Sequence, residues 1–155
     1  MKTSPNCMRR GAVMATILLV EDERTVRHLL RSILEEAGHG VIEACDGADA
    51  LAQYQSHQTD LILTDLMMPR KDGLAFISEV QRQFPHAKIA AMTGGDGIMA
   101  YADEARMLGV SCVLRKPLDL EELLQVIQGE LNETVHSGQE HPPVPSPRTA
   151  AVHRG

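Results

Sequence analysis

The chain has 155 residues, of which 43% are apolar and 3% are aromatic, and its formal net charge is −6. A chain of this length favours one domain with some additional sequence, and its apolar residues suffice for an aliphatic core. The negative charge argues against a nucleic-acid-binding surface, which usually carries a basic patch. The cysteines, Cys7, Cys45 and Cys112, lie too far apart for a C-x-x-C zinc motif or a disulfide framework and are typical of a reducing compartment.

Residues 1–14 are polar and irregular, and we interpret them as an N-terminal extension, with Met14 as an alternative translation start. They contain no apolar stretch long enough for a signal peptide. No run in the chain approaches the roughly 18 consecutive apolar residues of a membrane span. We therefore expect a cytoplasmic protein that does not bind a membrane.

Short apolar runs alternate with helical patterns between residues 15 and 131. In chain order, the predicted strands are 15–20, 40–45, 60–64, 87–92 and 111–115, and the predicted helices are 23–37, 47–56, 73–84, 98–108 and 118–131. The first helix is predicted from an apolar stripe at helical spacing, which consists of Val26, Leu29, Leu30, Ile33, Leu34 and Ala37. Gly38 and Gly40 follow this stripe, as glycines commonly do at helix ends.

This alternation predicts an α/β fold. Strands that are each followed by a helix form repeated βαβ units and a parallel sheet. The strands are apolar on both faces, so helices must cover both sides of the sheet. We therefore expect a three-layer, doubly wound sheet of five parallel strands.

Residues 132–155 differ in character from the rest of the chain. They hold half of the eight prolines and almost no periodic apolar residues. Such a segment cannot bury enough surface to offset its ordering entropy, so we predict a disordered, proline-rich tail. Its PPVP stretch matches the P-x-x-P pattern of an SH3-type ligand, but four residues are weak evidence and we favour a solvated tail. We expect no DNA-binding or enzymatic output domain to fold after residue 131.

Polar residues stand at the carboxyl ends of four predicted strands. Glu21 and Asp22 follow the first strand, Asp65 the third, Thr93 the fourth and Lys116 the fifth. Ligands of doubly wound sheets bind outside these strand ends. We therefore expect the five side chains to line one site.

The chemistry of these side chains is complementary. Carboxylates at close range repel one another and raise at least one pKa unless a cation joins them, and a small set of oxygen ligands suits Mg²⁺. Thr93 and Lys116 are then suited to hold an anion, so the set predicts a phosphoryl-transfer site. Taken singly, Glu21 and Asp22 also fit a helix N-terminus, Thr93 a turn and Lys116 the surface. The joint arrangement favours the site.

The motifs closely resemble the receiver domain of bacterial two-component response regulators. They are ILLVEDE at 17–23, LILTDLMMPRKDG at 61–73, Thr93, and Lys116 followed by Pro117. The resemblance covers residues 15–131. Within the family, the chain is similar to stand-alone receivers such as chemotaxis regulators. It implies a flavodoxin-like fold with strand order 2-1-3-4-5.

The resemblance also implies a role for each acidic residue. Asp65 is expected to accept a phosphoryl group from a sensor histidine kinase or a phosphotransfer protein. Asp22 and Asp65 are expected to bind Mg²⁺ directly, together with the backbone carbonyl of Met67, whereas Glu21 would act through water. Pro69 and Gly73 would shape the loop that turns this carbonyl toward the metal.

The same resemblance assigns the anion-binding residues and the partners. Thr93 would bond a phosphoryl oxygen and move inward on activation, and Lys116 would pair with the phosphoryl group. The bond between Lys116 and Pro117 is similar to one that is cis in the family. A downstream protein would contact the face of helix 4, strand 5 and helix 5, and a homodimer is left open. We expect no turnover enzyme, because such a receiver catalyses only its own phosphorylation and dephosphorylation.

Several positions depart from the family pattern. Val113 stands where the family usually has Tyr or Phe, so an aromatic rotamer switch cannot operate there. Met67 replaces a residue that is often polar, and Gly94 and Gly95 follow Thr93, which leaves the phosphoryl lifetime open. Val113 and the glycine-rich loop after Thr93 motivate an alternative, a receiver-like adaptor that works without phosphorylation. A hydrolase with an aspartyl-phosphate intermediate is disfavoured, because Leu66 and Met67 offer no second acid.

Overall fold

A computed structural model of the protein describes residues 14–68, 73–95 and 98–136. The predicted N-terminal extension, apart from Met14, and the part of the predicted tail beyond residue 136 lie outside these ranges. Within the ranges, no helix is both long and apolar enough to cross a membrane.

Strands and helices alternate along the described residues. The strands are β1 (Thr16–Val20), β2 (Gly40–Ala44), β3 (Leu61–Asp65), β4 (Ile89–Thr93) and β5 (Cys112–Arg115). The helices are α1 (Arg24–Glu36), α2 (Gly47–Ser56), α3 (Gly73–Gln83), α4 (Ile98–Met107) and α5 (Leu120–His136).

The strands form one parallel sheet in the order β2-β1-β3-β4-β5, which confirms the predicted topology. Leu18 of β1 lies opposite Ile42 of β2 on one side and Ile62 of β3 on the other. The chain first adds β2 on one side of β1 and then adds the remaining strands on the other. Such a reversal opens a crevice over the carboxyl ends of β1 and β3, where ligands of this architecture bind.

The core lies on both faces of the sheet, as the apolar strands predict. One buried cluster joins the sheet to α2, α3 and α4, and includes Ala50, Phe76, Ile77, Val80 and Ala105. The other joins it to α1 and α5, and includes Leu30, Leu34, Leu123, Ile127 and Leu131. The result is the expected three-layer arrangement.

Strands β3 and β4 extend farther toward the site than predicted. The prediction began β3 at Asp60 and ended both strands one residue early. In the structure Asp65 pairs with Met92 and Thr93 with Arg115, so Asp65 and Thr93 are the last residues of their strands. Asp60 instead accepts a hydrogen bond from the Thr16 amide at 2.8 Å through its carboxylate. The two polar residues therefore sit in regular backbone rather than in loops.

The predicted apolar stripe of α1 was wrong at two positions. Leu30 and Leu34 are buried, but 59% of Leu29 is exposed to solvent and Ala37 is an exposed residue at the helix end. The buried face of α1 is thus narrower than the sequence pattern suggests.

Helix α5 was predicted to end at Leu131, but it continues to His136. The apolar register stops at Leu131, yet neither proline nor glycine occurs in residues 132–136. A helix needs no further core contact to continue for one turn when no residue in that turn breaks it.

His39 connects α1 to β2 and is buried, with 8% of its surface exposed. Its Nδ1 accepts a hydrogen bond from the Ala15 amide at 3.3 Å, so the ring proton sits on Nε2. Burial lowers the pKa of His39 below its ordinary value of 6.5. The unfolded chain therefore binds this proton more readily, and the stability that neutral His39 provides is lost as the pH falls below about 6.5.

We expect the wild-type protein to lose more stability between pH 7.5 and pH 5.5 than a His39→Asn variant, which has no group to protonate there. Urea unfolding at the two pH values measures this difference. Exposed His57 offers a matched control, and a His57→Asn variant should keep the wild-type pH dependence. Identical pH dependence in the wild type and His39→Asn would contradict the assignment.

Candidate functional site

Three carboxylates meet at the carboxyl ends of β1 and β3. Glu21 and Asp22 form the loop after β1, and Asp65 ends β3, so one carboxylate oxygen from each lies within 4.8 Å of the others. Glu21 and Asp65 are only 1% and 4% exposed, whereas Asp22 faces solvent. The Glu21 amide donates to the Ala44 carbonyl at 3.1 Å, which continues the β1–β2 pairing into the loop. The structure thus brings the predicted acidic residues together.

Lys116 lies between two of these acids. It directly follows β5, and its Nζ is 2.9 Å from both Glu21 Oε2 and Asp65 Oδ2. Its amide donates to the Thr93 carbonyl at 2.7 Å, so the main chain after β5 is tied to the end of β4. The bond from Lys116 to Pro117 is cis, as the resemblance implied.

The pKa of Glu21 rises to about 7. Burial is the largest cause; hydrogen bonding to Lys116 opposes it, and the negative charge of Asp65 raises the pKa further. The sequence predicted that repulsion between the carboxylates would raise the pKa of at least one acid. The pKa of Glu21 is raised, but desolvation contributes more to the rise than repulsion does. Burial acts to lower the pKa of Lys116, yet its hydrogen bonds to Asp65 and Glu21 outweigh that effect and raise it.

Thr93 contributes a buried hydroxyl to the site. The residue is 1% exposed, and within the described ranges no group hydrogen-bonds to its Oγ1. A buried polar atom left unsatisfied costs roughly 1–3 kcal/mol. An anion held beside Lys116 would supply the missing acceptor.

Met67 reaches the site through its backbone. Its amide donates to Asp65 Oδ1 at 3.0 Å, while 45% of the residue is exposed. The metal-binding role of its carbonyl stays a prediction, and Pro69 lies outside the described residues. The neighbouring Met68 is buried and packs in the core.

Gly73, the first residue of α3, lies directly against the end of β3. Its amide donates to the Leu66 carbonyl at 3.2 Å. A Cβ at this position would lie 2.7 Å from Leu66 Cα and would collide with the Asp65 carbonyl oxygen. Only glycine allows α3 to approach the Asp65 backbone this closely.

Arg27 is a site neighbour that the sequence reading missed. Its Nη1 donates to the Glu21 carbonyl at 2.8 Å, and its Nε lies 3.7 Å from Glu43 Oε1. Arg31, one turn later on α1, also binds Glu43, at 2.9 Å. Glu43 could have revealed this contact in the sequence. It is a charged residue inside an otherwise apolar strand, and such a residue requires a partner of opposite charge.

The donor set fits a divalent cation. The acids offer hard oxygen ligands, and the Asp22 carboxylate faces solvent, which leaves room for water. The three acids can therefore hold a metal ion, and Lys116 and Thr93 offer an ammonium and a hydroxyl to an anion.

Comparison with known proteins agrees with this geometry. The sequence model of the response regulator receiver domain matches residues 17–128. Protein PilG of Pseudomonas aeruginosa is 31% identical over 117 residues, which cover 74% of this chain and 86% of PilG. The transcriptional regulatory protein PdtaR of Mycobacterium tuberculosis is 32% identical over 129 residues, which cover 81% of this chain but only 61% of PdtaR.

Solved structures give the same result. A receiver domain protein from Clostridium thermocellum superposes with a TM-score of 0.75 at 27% identity, over 79% of this chain and 98% of that one. The chemotaxis protein CheY4 of Vibrio cholerae superposes with a TM-score of 0.71 at 30% identity, over 77% of this chain and all of CheY4. The fold, the site and these similarities together show that the chain belongs to the response regulator receiver domain family of two-component signalling proteins.

Proposed function

We propose that the protein is a phospho-acceptor whose Asp65 takes a phosphoryl group from a phosphohistidine of a sensor histidine kinase or a phosphotransfer protein. The observation that carries this proposal is the position of Asp65. Its carboxylate is buried and is held by the Lys116 ammonium on one oxygen and by the Met67 amide on the other. These two bonds fix a nucleophile at the mouth of the crevice.

The transfer breaks one bond and forms one bond. A carboxylate oxygen of Asp65 attacks phosphorus, the P–N bond of the phosphohistidine breaks, and its electron pair stays on the departing imidazole nitrogen. The products are an aspartyl phosphate and a histidine side chain. Hydrolysis by water later returns Asp65 and inorganic phosphate, so the protein acts only on itself and on its phosphodonor.

Residues around Asp65 stabilise the charge of the phosphoryl group. The Lys116 ammonium, which lies beside Asp65, can form an ion pair with the phosphoryl oxygens. The Thr93 hydroxyl, which has no partner among the described residues, can donate a hydrogen bond to one of these oxygens. Mg²⁺ bound by Asp22, Asp65 and the Met67 carbonyl, with Glu21 acting through water, would neutralise charge on the transferring group. The chain thus supplies the nucleophile, one ammonium and one hydroxyl.

We infer that phosphorylation switches protein contacts through β4 and β5. The Lys116 amide already bonds the Thr93 carbonyl, so a shift of either residue toward a phosphoryl group moves both strand ends. Helices α4 and α5 carry exposed large apolar side chains, with 72% of Met99, 87% of Met107 and 50% of Leu120 accessible. Such side chains suit a protein partner, including a second copy of this chain.

Intact-mass measurement tests this function. Incubation with acetyl phosphate and Mg²⁺ should add one phosphoryl group to the wild-type protein and none to an Asp65→Asn variant. Chelation of Mg²⁺ should suppress the adduct. Wild-type protein without an adduct, or equal adducts in both proteins, would contradict the proposal.

A second candidate function is an adaptor that works without phosphorylation. Val113 favours it, because this partly buried valine packs against the core where the family usually places an aromatic switch residue. In that case a downstream partner would bind the wild type and Asp65→Asn equally, with or without Mg²⁺. The phospho-acceptor proposal instead predicts partner binding that changes with acetyl phosphate in the wild type alone.

A further inference from the structure

Arg27 connects the loop that carries Glu21 and Asp22 to the edge strand of the sheet. Its Nη1 lies 2.8 Å from the Glu21 carbonyl oxygen and 3.5 Å from that of Asp22. Its Nε is 3.7 Å from Glu43 Oε1 in β2, and only 18% of the side chain is exposed. The planar guanidinium presents donors in a fixed fork, so it can hold these groups in one geometry.

The acidic loop has little other support at Asp22. Within the described ranges, the protein hydrogen bond to Asp22 reaches its main-chain carbonyl and not its carboxylate. Glu23 occupies the N-cap of α1 but makes no capping bond with its side chain. The position of the Asp22 carboxylate therefore follows from its main chain, which Arg27 holds from α1.

We propose that Arg27 is a positioning residue that fixes the Glu21–Asp22 loop for a divalent cation. This inference rests on the proposed function, because it requires these acids to bind the metal. Within the described residues, the hydrogen bonds from Arg27 to the loop reach the main-chain carbonyls of Glu21 and Asp22 and not their carboxylates. Arg27 acts on the main chain behind them, as groups in the outer shell of metal sites do.

The proposal predicts an effect opposite to that of simple electrostatics. A positive charge near the site repels Mg²⁺, so loss of that charge alone would strengthen binding. Loss of the carbonyl bonds would loosen the loop and weaken binding instead. The sign of the change in Mg²⁺ affinity after Arg27→Met distinguishes the two effects.

Arg31 provides a matched control. It lies one turn from Arg27 on α1 and binds the same Glu43, at 2.9 Å, but its other partner is Glu35 rather than the loop. Arg31→Met therefore removes a charge and a Glu43 ion pair while leaving the loop carbonyls bonded to Arg27. Arg27→Lys keeps the charge but lacks the fork needed to reach both the loop and Glu43.

Calorimetric titration of the full chain with Mg²⁺ alone tests the inference. We expect Arg27→Met to raise the Mg²⁺ dissociation constant about tenfold, Arg27→Lys to raise it about threefold, and Arg31→Met to leave it near the wild-type value. If Arg27→Met does not fold, the comparison of Arg27→Lys with Arg31→Met decides.

Three outcomes would overturn the inference. An Arg27→Met affinity equal to or tighter than wild type would show that the carbonyl bonds do not matter. Equal weakening by Arg27→Met and Arg31→Met would assign the effect to the Glu43 ion pairs. Wild-type protein that does not bind Mg²⁺ would refute the metal site of the proposed function itself, and this result is separate from the other two.

Discussion

A Gly73→Ala substitution is expected to lower the free energy of unfolding by roughly 3 kcal/mol, which is at the upper end of the cost of overpacking a core. The added Cβ would lie 2.7 Å from Leu66 Cα and would collide with the Asp65 carbonyl oxygen. Both contacts are with backbone, which has no rotamer to change. The variant can relieve them only by moving α3 away from β3 or by displacing the backbone that carries Asp65. We therefore also expect weaker Mg²⁺ binding and slower phosphorylation.

Urea unfolding measures the stability change, and Gly129→Ala is the matched control. Gly129 lies inside α5, and a Cβ there would meet no atom within 4 Å. The same substitution at that position should stabilise the protein by about 0.5–1 kcal/mol, because alanine favours the helix. A Gly73→Ala variant as stable as the wild type would show that the close approach of α3 to Asp65 does not constrain the site.

A Lys116→Met variant should lose roughly 3 kcal/mol of stability at pH 8 without Mg²⁺. Lys116 Nζ lies 2.9 Å from both Glu21 and Asp65, which are almost fully buried. Removing one partner of a buried ion pair leaves an uncompensated charge, which typically costs about 3–5 kcal/mol, and the partial exposure of Lys116 places this case at the lower end.

The loss should shrink at pH 6. The pKa of Glu21 is already raised to about 7, chiefly by burial, and without the ammonium it would rise further. Because the folded-state pKa exceeds the unfolded value of 4.5, the folded state takes up the proton first as the pH falls, and this uptake stabilises it. Millimolar Mg²⁺ at pH 8 should restore stability by supplying the missing positive charge.

Urea unfolding at both pH values, with and without Mg²⁺, checks this prediction. Lys88→Met is the control, because Lys88 Nζ donates to the main-chain carbonyl of Glu130 and not to an acid. That variant should lose about 1 kcal/mol or less, with no dependence on Mg²⁺. A Lys116→Met variant that is equally destabilised at pH 6 and pH 8 would contradict the ion-pair account.

The sequence was sufficient to predict a parallel sheet and the edge of it at which the candidate site residues lie, because both depend on the same strand ends. Apolar runs with a polar residue at the end identify parallel strands and also place Glu21, Asp65, Thr93 and Lys116 at one edge of the sheet. The strand order came from the resemblance rather than from periodicity. The register between neighbouring strands determines where each strand ends. The pairing of Asp65 with Met92 could not be predicted from the sequence.

Contacts between distant segments could not be predicted. Leu29 fits the apolar period of α1, yet the neighbouring elements leave it mostly exposed. The hydrogen bonds and the ion pair of Arg27 depend on how α1 packs against β2. Local sequence patterns do not predict that packing. Repulsion was expected to raise the pKa of at least one acid, but the main cause of the raised pKa of Glu21 is burial, which only the folded chain defines.

Chemical mapping of the phosphoryl group tests the central claim most directly. After reaction with acetyl phosphate and Mg²⁺, borohydride reduces an aspartyl phosphate to the corresponding alcohol, and peptide mass spectrometry locates the altered residue. We predict homoserine at position 65 alone, with none after Mg²⁺ chelation. A reduced residue at Glu21, Asp22 or any other position, with Asp65 unchanged, would contradict the account.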